Sequence, residues 1–195
     1  KPTVLVSASA IGYYGNRGSE PLDESASAGE GFLADVCRQW EAATVPARDA
    51  DIRTVNLRIG FVLSKDGGRL AKMLTPFRLG GGGVIGSGEQ YVSWIALAEL
   101  VRVIRFVLSA AALNGPVNAV APNPVTNREF TKTLGAILHR PTVVPMPAFA
   151  ARLAFGEMAD EMLLGGSRIE PRALSAVDFT FEFPHLEMAL RHVLR

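Results

Sequence analysis

Side chains able to move a proton or hold an anion gather in three stretches of this sequence. The first is Val4–Gly15, VLVSASAIGYYG, where Ser7, Ser9, Tyr13 and Tyr14 place hydroxyls at the end of an apolar run. Such groups donate and accept hydrogen bonds, and a phenol can serve as a general acid or base. The second is Arg58, a cation near the carboxyl end of the apolar run Arg53–Val62. A charge there is costly unless paired, so Arg58 meets either an acid of the protein or a bound anion. The third is 86–94, GSGEQYVSW, where Gln90 and Ser93 stand among glycines and aromatics. A plainer reading of the first stretch is a core strand that ends in an ordinary glycine turn.

Other reactive residues fit structural roles. Cys37 falls on the apolar face of an expected helix, with no histidine near it in sequence to activate the thiol, and reads as core. His139, His185 and His192 lack metal-site spacing, so no metal is expected, and His139 and His192 read as surface residues. Asp160 and Glu161 read as solvated charges on a helix. There is no Gly-x-Ser-x-Gly elbow, and Gly80–Gly83 is not followed by Gly-Lys-Ser/Thr as a P-loop would be.

The elements that must position these residues alternate. Thr3–Val6 suits a strand buried on both faces, as in a parallel sheet. Ser27-Ala28-Gly29-Glu30 has capping-box spacing and predicts a helix with Phe32, Leu33, Val36, Cys37, Trp40 and Ala43 on its apolar face. Arg53–Val62 predicts a second buried strand. Arg69–Leu79 predicts a short helix that Pro76 kinks or stops. Gln90–Ile95 reads as extended, Ala96–Leu113 as an apolar helix, and Val117–Val120 as a third strand. Thr126-Asn127-Arg128-Glu129 is a second capping box. Further helices are expected over 149–155, 157–164 and 186–194, short extended pieces at 142–144 and 179–183. In an open α/β sheet ligands bind beyond the carboxyl ends of the strands, which puts all three reactive stretches at one edge. The expected division is a Rossmann-like part over 1–114 and a smaller α+β lobe over 115–195.

Composition narrows the partners. The content of 48% hydrophobic and 20% charged residues is that of a globular chain, not a disordered one. A net charge of +1 without a basic block gives no reason to expect nucleic acid or an anionic membrane, and no apolar run is long enough to span a bilayer. The single cysteine cannot form an internal disulfide and fits a reducing cytoplasm. A buried strand directly behind Lys1-Pro2 is how a chain looks when it begins inside a domain.

Ser7–Gly15 (SASAIGYYG), Asn56–Ser64 (NLRIGFVLS), Pro76–Ile95 (PFRLGGGGVIGSGEQYVSWI) and Asn118–Pro141 together resemble the epimerase-family proteins of the extended, atypical short-chain dehydrogenase/reductase superfamily. Phe155–Pro171 resembles the small C-terminal domain of those proteins. The resemblance implies an α/β Rossmann-type sheet with a small substrate lobe, an NADP or NAD cofactor, and a small carbonyl or sugar-like substrate. It runs only from the family's fourth strand onward. The implied remainder, with the glycine-rich phosphate loop, is about 100 residues. The edge of Val4–Val6 would then be bare, and is expected to be covered by self-association, by a missing N-terminal half or by a rearranged segment.

The resemblance also assigns roles. Ser9, with Ser7 as the alternative, matches the superfamily's catalytic serine. Tyr13 and Tyr14 are the remaining catalytic candidates. The nicotinamide half of the cofactor would lie over Ser7, Ala8 and Ile11 with Arg58 near it, and Gln90, Ser93 and Trp94 would line the substrate side. Two departures stand out. The usual Tyr-x-x-x-Lys pair is replaced by Phe32/Val36 or Leu33/Cys37, depending on register. Related proteins read Ser-Trp-Ile-His-Ile-Asp-Asp-Leu where this chain has Ser93-Trp94-Ile95-Ala96-Leu97-Ala98-Glu99-Leu100. The expectation is therefore that the intact protein is an NAD(P)-dependent epimerase/dehydratase or reductase of unknown substrate and that this fragment alone is inactive, with a catalytically inactive nucleotide-binding or regulatory protein as the alternative.

Overall fold

The computed structural model of the chain describes residues 1–156 and 159–195, apart from the side chains of 154, 155, 161 and 162. The chain opens with strand β1 (Val4–Ala10), a 3-10 helix (Ile11–Tyr14) and strand β2 (Gly18–Leu22). Helices α1 (Phe32–Ala42) and α2 (Val45–Asp49) lead to strands β3 (Arg53–Ile59) and β4 (Phe61–Leu63). Helix α3 (Gly68–Arg78), strands β5 (Tyr91–Val92) and β6 (Trp94–Ala96) and helix α4 (Leu97–Ser109) follow. Next come β7 (Gly115–Ala119), β8 (Val125–Thr126), α5 (Asn127–Ile137) and α6 (Ala148–Phe155). A π-helical turn (Asp160–Leu164), β9 (Ser167–Ile169), α7 (Arg172–Ser175) and α8 (Leu186–Val193) complete the chain. Residues 157 and 158 of the expected 157–164 helix, and the Glu161 side chain, lie outside the described residues.

The centre is a parallel sheet of order β1-β3-β7, with Ser9 opposite Arg58 and Arg58 opposite Asn118. Parallel neighbours need crossovers, which the helices between these strands supply. α4 lays Leu100, Val103 and Val107 on one face, over Val55, Leu57, Val117 and Ala119. The opposite face carries α1 and α2. β7 belongs to this sheet, so the sheet crosses the expected division between 114 and 115. β1 is an edge strand: among the described residues nothing pairs with its outer side.

Arg53–Val62 is not one strand. It breaks at Gly60, where the chain leaves the central sheet and joins a second parallel pair, β4 with β6. Gly60 N–H donates to the Ala119 carbonyl at 3.2 Å, and Phe61 N–H turns to the Ser93 carbonyl at 2.9 Å. A Cβ on Gly60 would come within 2.7 Å of both the Ser93 carbonyl and Val120 Cγ1, so only glycine passes. Around β4 and β6 a second core forms from Leu63, Leu70, Leu74, Phe77, Trp94, Phe130, Leu134 and Leu190, which seats α3, α5 and α8.

Local signals held where side chains could satisfy them locally. The Thr126/Glu129 capping box is present in full. The Ser27/Glu30 box is not, and α1 begins at Phe32 behind Gly31. Gly29 N–H is instead committed to the Tyr13 carbonyl at 2.9 Å, which ties this segment to the 3-10 helix. As a result Phe32 (72% exposed) and Trp40 (51%) face outward, while Ala34 and Cys37 are buried. The expected strand at 179–183 is an irregular segment. Arg102 donates to the Thr180 carbonyl at 3.1 Å and Glu99 accepts from Phe183 N–H at 2.9 Å, so side chains from α4 replace a ladder there.

Candidate functional site

Beneath the carboxyl ends of β1 and β3 lies a buried polar network. Arg58, 3% exposed, donates from Nε and Nη2 to the two carboxylate oxygens of Glu41 on α1 at 2.8 and 2.9 Å. Ser9 Oγ donates to the same carboxylate at 2.8 Å. Arg58 Nη1 donates to the Tyr14 hydroxyl at 2.9 Å, and that hydroxyl donates to Asn118 Oδ1 at 2.7 Å. The guanidinium stacks over the Tyr13 ring at 3.4 Å. Glu24 extends the chain of bonds, accepting from Asn118 N–H at 2.9 Å and Ala173 N–H at 3.2 Å. Burial pushes the Tyr14 phenol above its ordinary value, with Arg58 acting against the rise. Burial likewise pushes the Glu24 carboxyl up. For Arg58 burial would depress ionisation, but the bonds to Glu41 and Tyr14 prevail and hold it above its ordinary range.

Beside this network opens a cleft of about 400 Å³. Ile11, Gly12 and Gly15 form one wall, Ile59–Val62 the floor, and Gln90–Ser93 with the 165–167 loop the far side; Leu33, Arg69 and Asn127 are among the other residues that line it. Its volume falls within the range of small-molecule sites, and its lining is mainly apolar with a few polar groups. Gly166 lies against β5 so closely that a Cβ would meet the Tyr91 carbonyl at 2.2 Å. Ser93 Oγ donates to the Ser167 carbonyl at 2.9 Å and accepts from Ile169 N–H at 3.0 Å, fixing that loop. Gln90 Nε2 ties the carbonyls of Ile85 and Leu163 together at 3.0 and 2.8 Å.

The structure separates the sequence candidates into groups. Ile11, Gln90 and Ser93 line the cleft. Ser9, Tyr14 and Arg58 belong to the buried network, with Tyr13 packed on it, and Arg58 meets an acid of the protein. Ser7 is half-buried opposite Asn56, and Ala8 is exposed. Trp94 is fully buried in the second core, its indole N–H donating to the Asn123 carbonyl at 3.1 Å. Glu99, the remaining acid after β6, is buried and paired with Arg102.

The register of α1 is also settled. Leu33 lines the cleft, and a Cβ on Gly12 would sit 3.3 Å from Leu33 Cβ and 3.8 Å from Cys37 Sγ. Leu33/Cys37 is therefore the pair that faces the end of β1, and neither side chain relays a proton; burial keeps the Cys37 thiol above its ordinary value. Among the cleft residues that escaped the sequence reading are Arg69, Tyr91 and Asn127. Arg69 had a signal: with Met73 and Phe77 it falls on the i, i+4, i+8 stripe of α3, where a cation is out of place. Among the described residues no cluster of histidine, cysteine or acids could hold a metal, and no helix is long and apolar enough to cross a membrane.

Residues 146–193 match a family described as a domain of unknown function, DUF1731. An epimerase family protein of Mycobacterium bovis is 48% identical over 186 residues, covering 95% of this chain. The chain spans 62% of that relative's length. The crystal structure of the human epimerase family protein SDR39U1 (isoform 2) with NADPH superposes with a TM-score of 0.90 at 35% identity, over 98% of this chain and 65% of that one. A nucleoside-diphosphate sugar epimerase from Corynebacterium glutamicum gives a TM-score of 0.81 at 39% identity, over 98% of this chain and 37% of that one. Together with the Rossmann-like parallel sheet, these likenesses place the chain in the epimerase family of the atypical short-chain dehydrogenase/reductase superfamily, with a small C-terminal domain.

Proposed function

We propose that the cleft is the nicotinamide and substrate side of an NAD(P)-dependent epimerase or reductase that acts on a small carbonyl or sugar-like molecule. The observation that carries this reading is the position of the cleft, beyond the carboxyl ends of β1 and β3, where α/β sheets bind ligands. The relative solved with NADPH supports the cofactor class. The lining fits an uncharged nicotinamide ring: Ile11, Gly12, Ile59 and Gly60 supply apolar surface with little side-chain bulk. The Gly-x-Gly-x-x-Gly spacing of Gly81–Gly86 lies between helix α3 and strand β5 rather than joining a strand to a helix, so it does not fit the cofactor's diphosphate. Bound nicotinamide supplies hydride transfer. The chain's own part is to orient the ring on Ile11 and Ile59, shut out water with Leu33 and Phe61, and hold the substrate between Gln90, Tyr91 and Asn127. The Arg58–Glu41–Ser9–Tyr14 network holds the ends of β1 and β3 at fixed distance below.

Leu33 and Cys37, in place of a proton-relaying pair, favour a second reading, a nucleotide-binding protein without turnover. An assay of NADPH oxidation across carbonyl compounds and nucleotide sugars separates the two. The first reading expects turnover that Tyr91→Phe or Gly166→Leu reduces while the fold persists. Turnover indifferent to both substitutions contradicts the cleft assignment, and NADPH bound at the cleft without turnover on any substrate favours the second reading.

A further inference from the structure

We infer that Arg69 is an oxyanion-recognising residue of the cleft, so that the molecule bound there carries a carboxylate or phosphoryl group. The inference rests on the cleft being the ligand site, as proposed above. Arg69 is the one charged side chain among the described residues that line the cleft. The guanidinium lies 5.0 Å over the ring of Phe61, itself part of the cleft floor. Among the described residues no carboxylate, carbonyl or hydroxyl accepts a hydrogen bond from it. Other arginines withdrawn wholly or partly from solvent are treated differently: Arg58 holds Glu41, Arg102 holds Glu99, and Arg53 donates to the carbonyls of Val107, Leu108 and Leu113.

A half-buried guanidinium with no acceptor among the described residues is a partly uncompensated cost for the fold. Burial alone pushes its ionisation below the ordinary arginine range, with no counter-charge acting the other way. The protein could remove that cost by placing leucine on this stripe, beside Met73 and Phe77. A bound oxyanion repays it instead, because the planar fork of N–H groups matches a carboxylate or phosphate with two parallel bonds. The floor and far side of the cleft supply only uncharged partners, so the rest of the ligand is uncharged or weakly polar. Gln90 Nε2 and Asn127 Oδ1 are already engaged, which leaves Gln90 Oε1 for a ligand hydroxyl and Asn127 Nδ2 for a carbonyl. Arg69 also stands in the first turn of α3, whose N-cap Gly67 offers no capping side chain. The free N–H groups there favour the same sign of ligand charge.

The test uses amide and arginine side-chain NMR of this chain, titrated separately with inorganic pyrophosphate, benzoate and uncharged nicotinamide. The expected result is that pyrophosphate or benzoate shifts Arg69 Nε–H together with the amides of Gly60, Tyr91 and Gly166. Arg69→Leu is expected to weaken that binding about tenfold or more, the size of one charge-assisted hydrogen bond, with Arg69→Lys between the two. Response to pyrophosphate alone assigns a phosphoryl ligand, and response to benzoate alone a carboxylate. If neither anion moves these signals, or Arg69→Leu binds as well as the parent, the inference is overturned. Nicotinamide shifting the cleft amides in that event leaves the cleft assignment standing. No response to any of the three removes both.

Discussion

Arg58 and Glu41 meet through two hydrogen bonds of 2.8 and 2.9 Å, one strand and one helix locked together beneath the cleft. The pair explains how a cation is tolerated in a strand whose neighbours Val55 and Leu57 are fully enclosed. Removing one partner leaves the other charge buried and alone. Glu41→Gln is therefore expected to lower unfolding free energy by about 3–5 kcal/mol, read from urea denaturation. Ser9→Ala, which removes one donor to the same carboxylate, is expected to cost only about 1 kcal/mol. Equal effects of the two would show that the ion pair is not what holds β3 to α1.

Tyr14 gives the network a pH signature. Its phenol titrates above the ordinary value of 10.0 in the folded chain, chiefly because it is buried. The folded state then keeps a proton that the unfolded state gives up. The stability this provides is fully present below pH 10, and it is lost as pH rises through the higher folded value. Urea midpoints measured from pH 8 upward are expected to fall more steeply for the parent than for Tyr14→Phe. Parallel curves would mean that Tyr14 is not titrating from a buried place.

Ser93 is expected to act as a clamp on the loop that borders the cleft. Ser93→Ala leaves Ile169 N–H and the Ser167 carbonyl without their partner, a loss of about 1–3 kcal/mol. Hydrogen exchange should locate the effect: the Ile169 amide should lose protection before the central sheet does. Unchanged exchange at Ile169 would detach Ser93 from that role.

Gly60 marks the switch between the two sheets, and Gly60→Ala is expected to separate them. The added methyl meets backbone rather than a movable side chain on one side. A cost of about 1–3 kcal/mol is expected, with the β4–β6 pairing loosened first. Calorimetry on the variant reads the total, and exchange at Phe61 N–H reads its place.

The open side of β1 carries a prediction about association. An unpaired parallel edge with Val4, Leu5 and Val6 half-exposed is a template for another strand. Sedimentation velocity is expected to show concentration-dependent self-association of this chain, or its suppression by a separately supplied N-terminal segment of a family member. A strict monomer at every concentration would contradict this.

Much of the scaffold could be read from pattern. β1 and β3 are short apolar runs between turn residues, and Thr126 with Glu129 satisfies its helix end by local contacts alone. What depends on distant partners could not be read. Phe179–Phe183 alternates like a strand, yet Arg102 and Glu99 take its backbone groups. Ser9 and Tyr14 have the chemistry of catalytic hydroxyls, but Glu41, Arg58 and Asn118 claim them from other elements. The cleft was harder still, since residues 11, 12, 15, 33, 59–62, 69, 90–93, 127 and 165–167 converge on it only through the fold. Of its lining, only Ile11, Gln90 and Ser93 stood out by residue type and place, while Arg69, a cation on an apolar stripe, went unread.

The direct test of the cleft as the binding site is an amide NMR titration of this chain with NADPH. The account predicts weak binding, because the diphosphate finds no loop here, with shifts concentrated at Gly12, Gly60, Tyr91 and Gly166. Shifts confined to Ser7, Ala8 and the α1–α2 face, with the cleft amides unmoved, would contradict it.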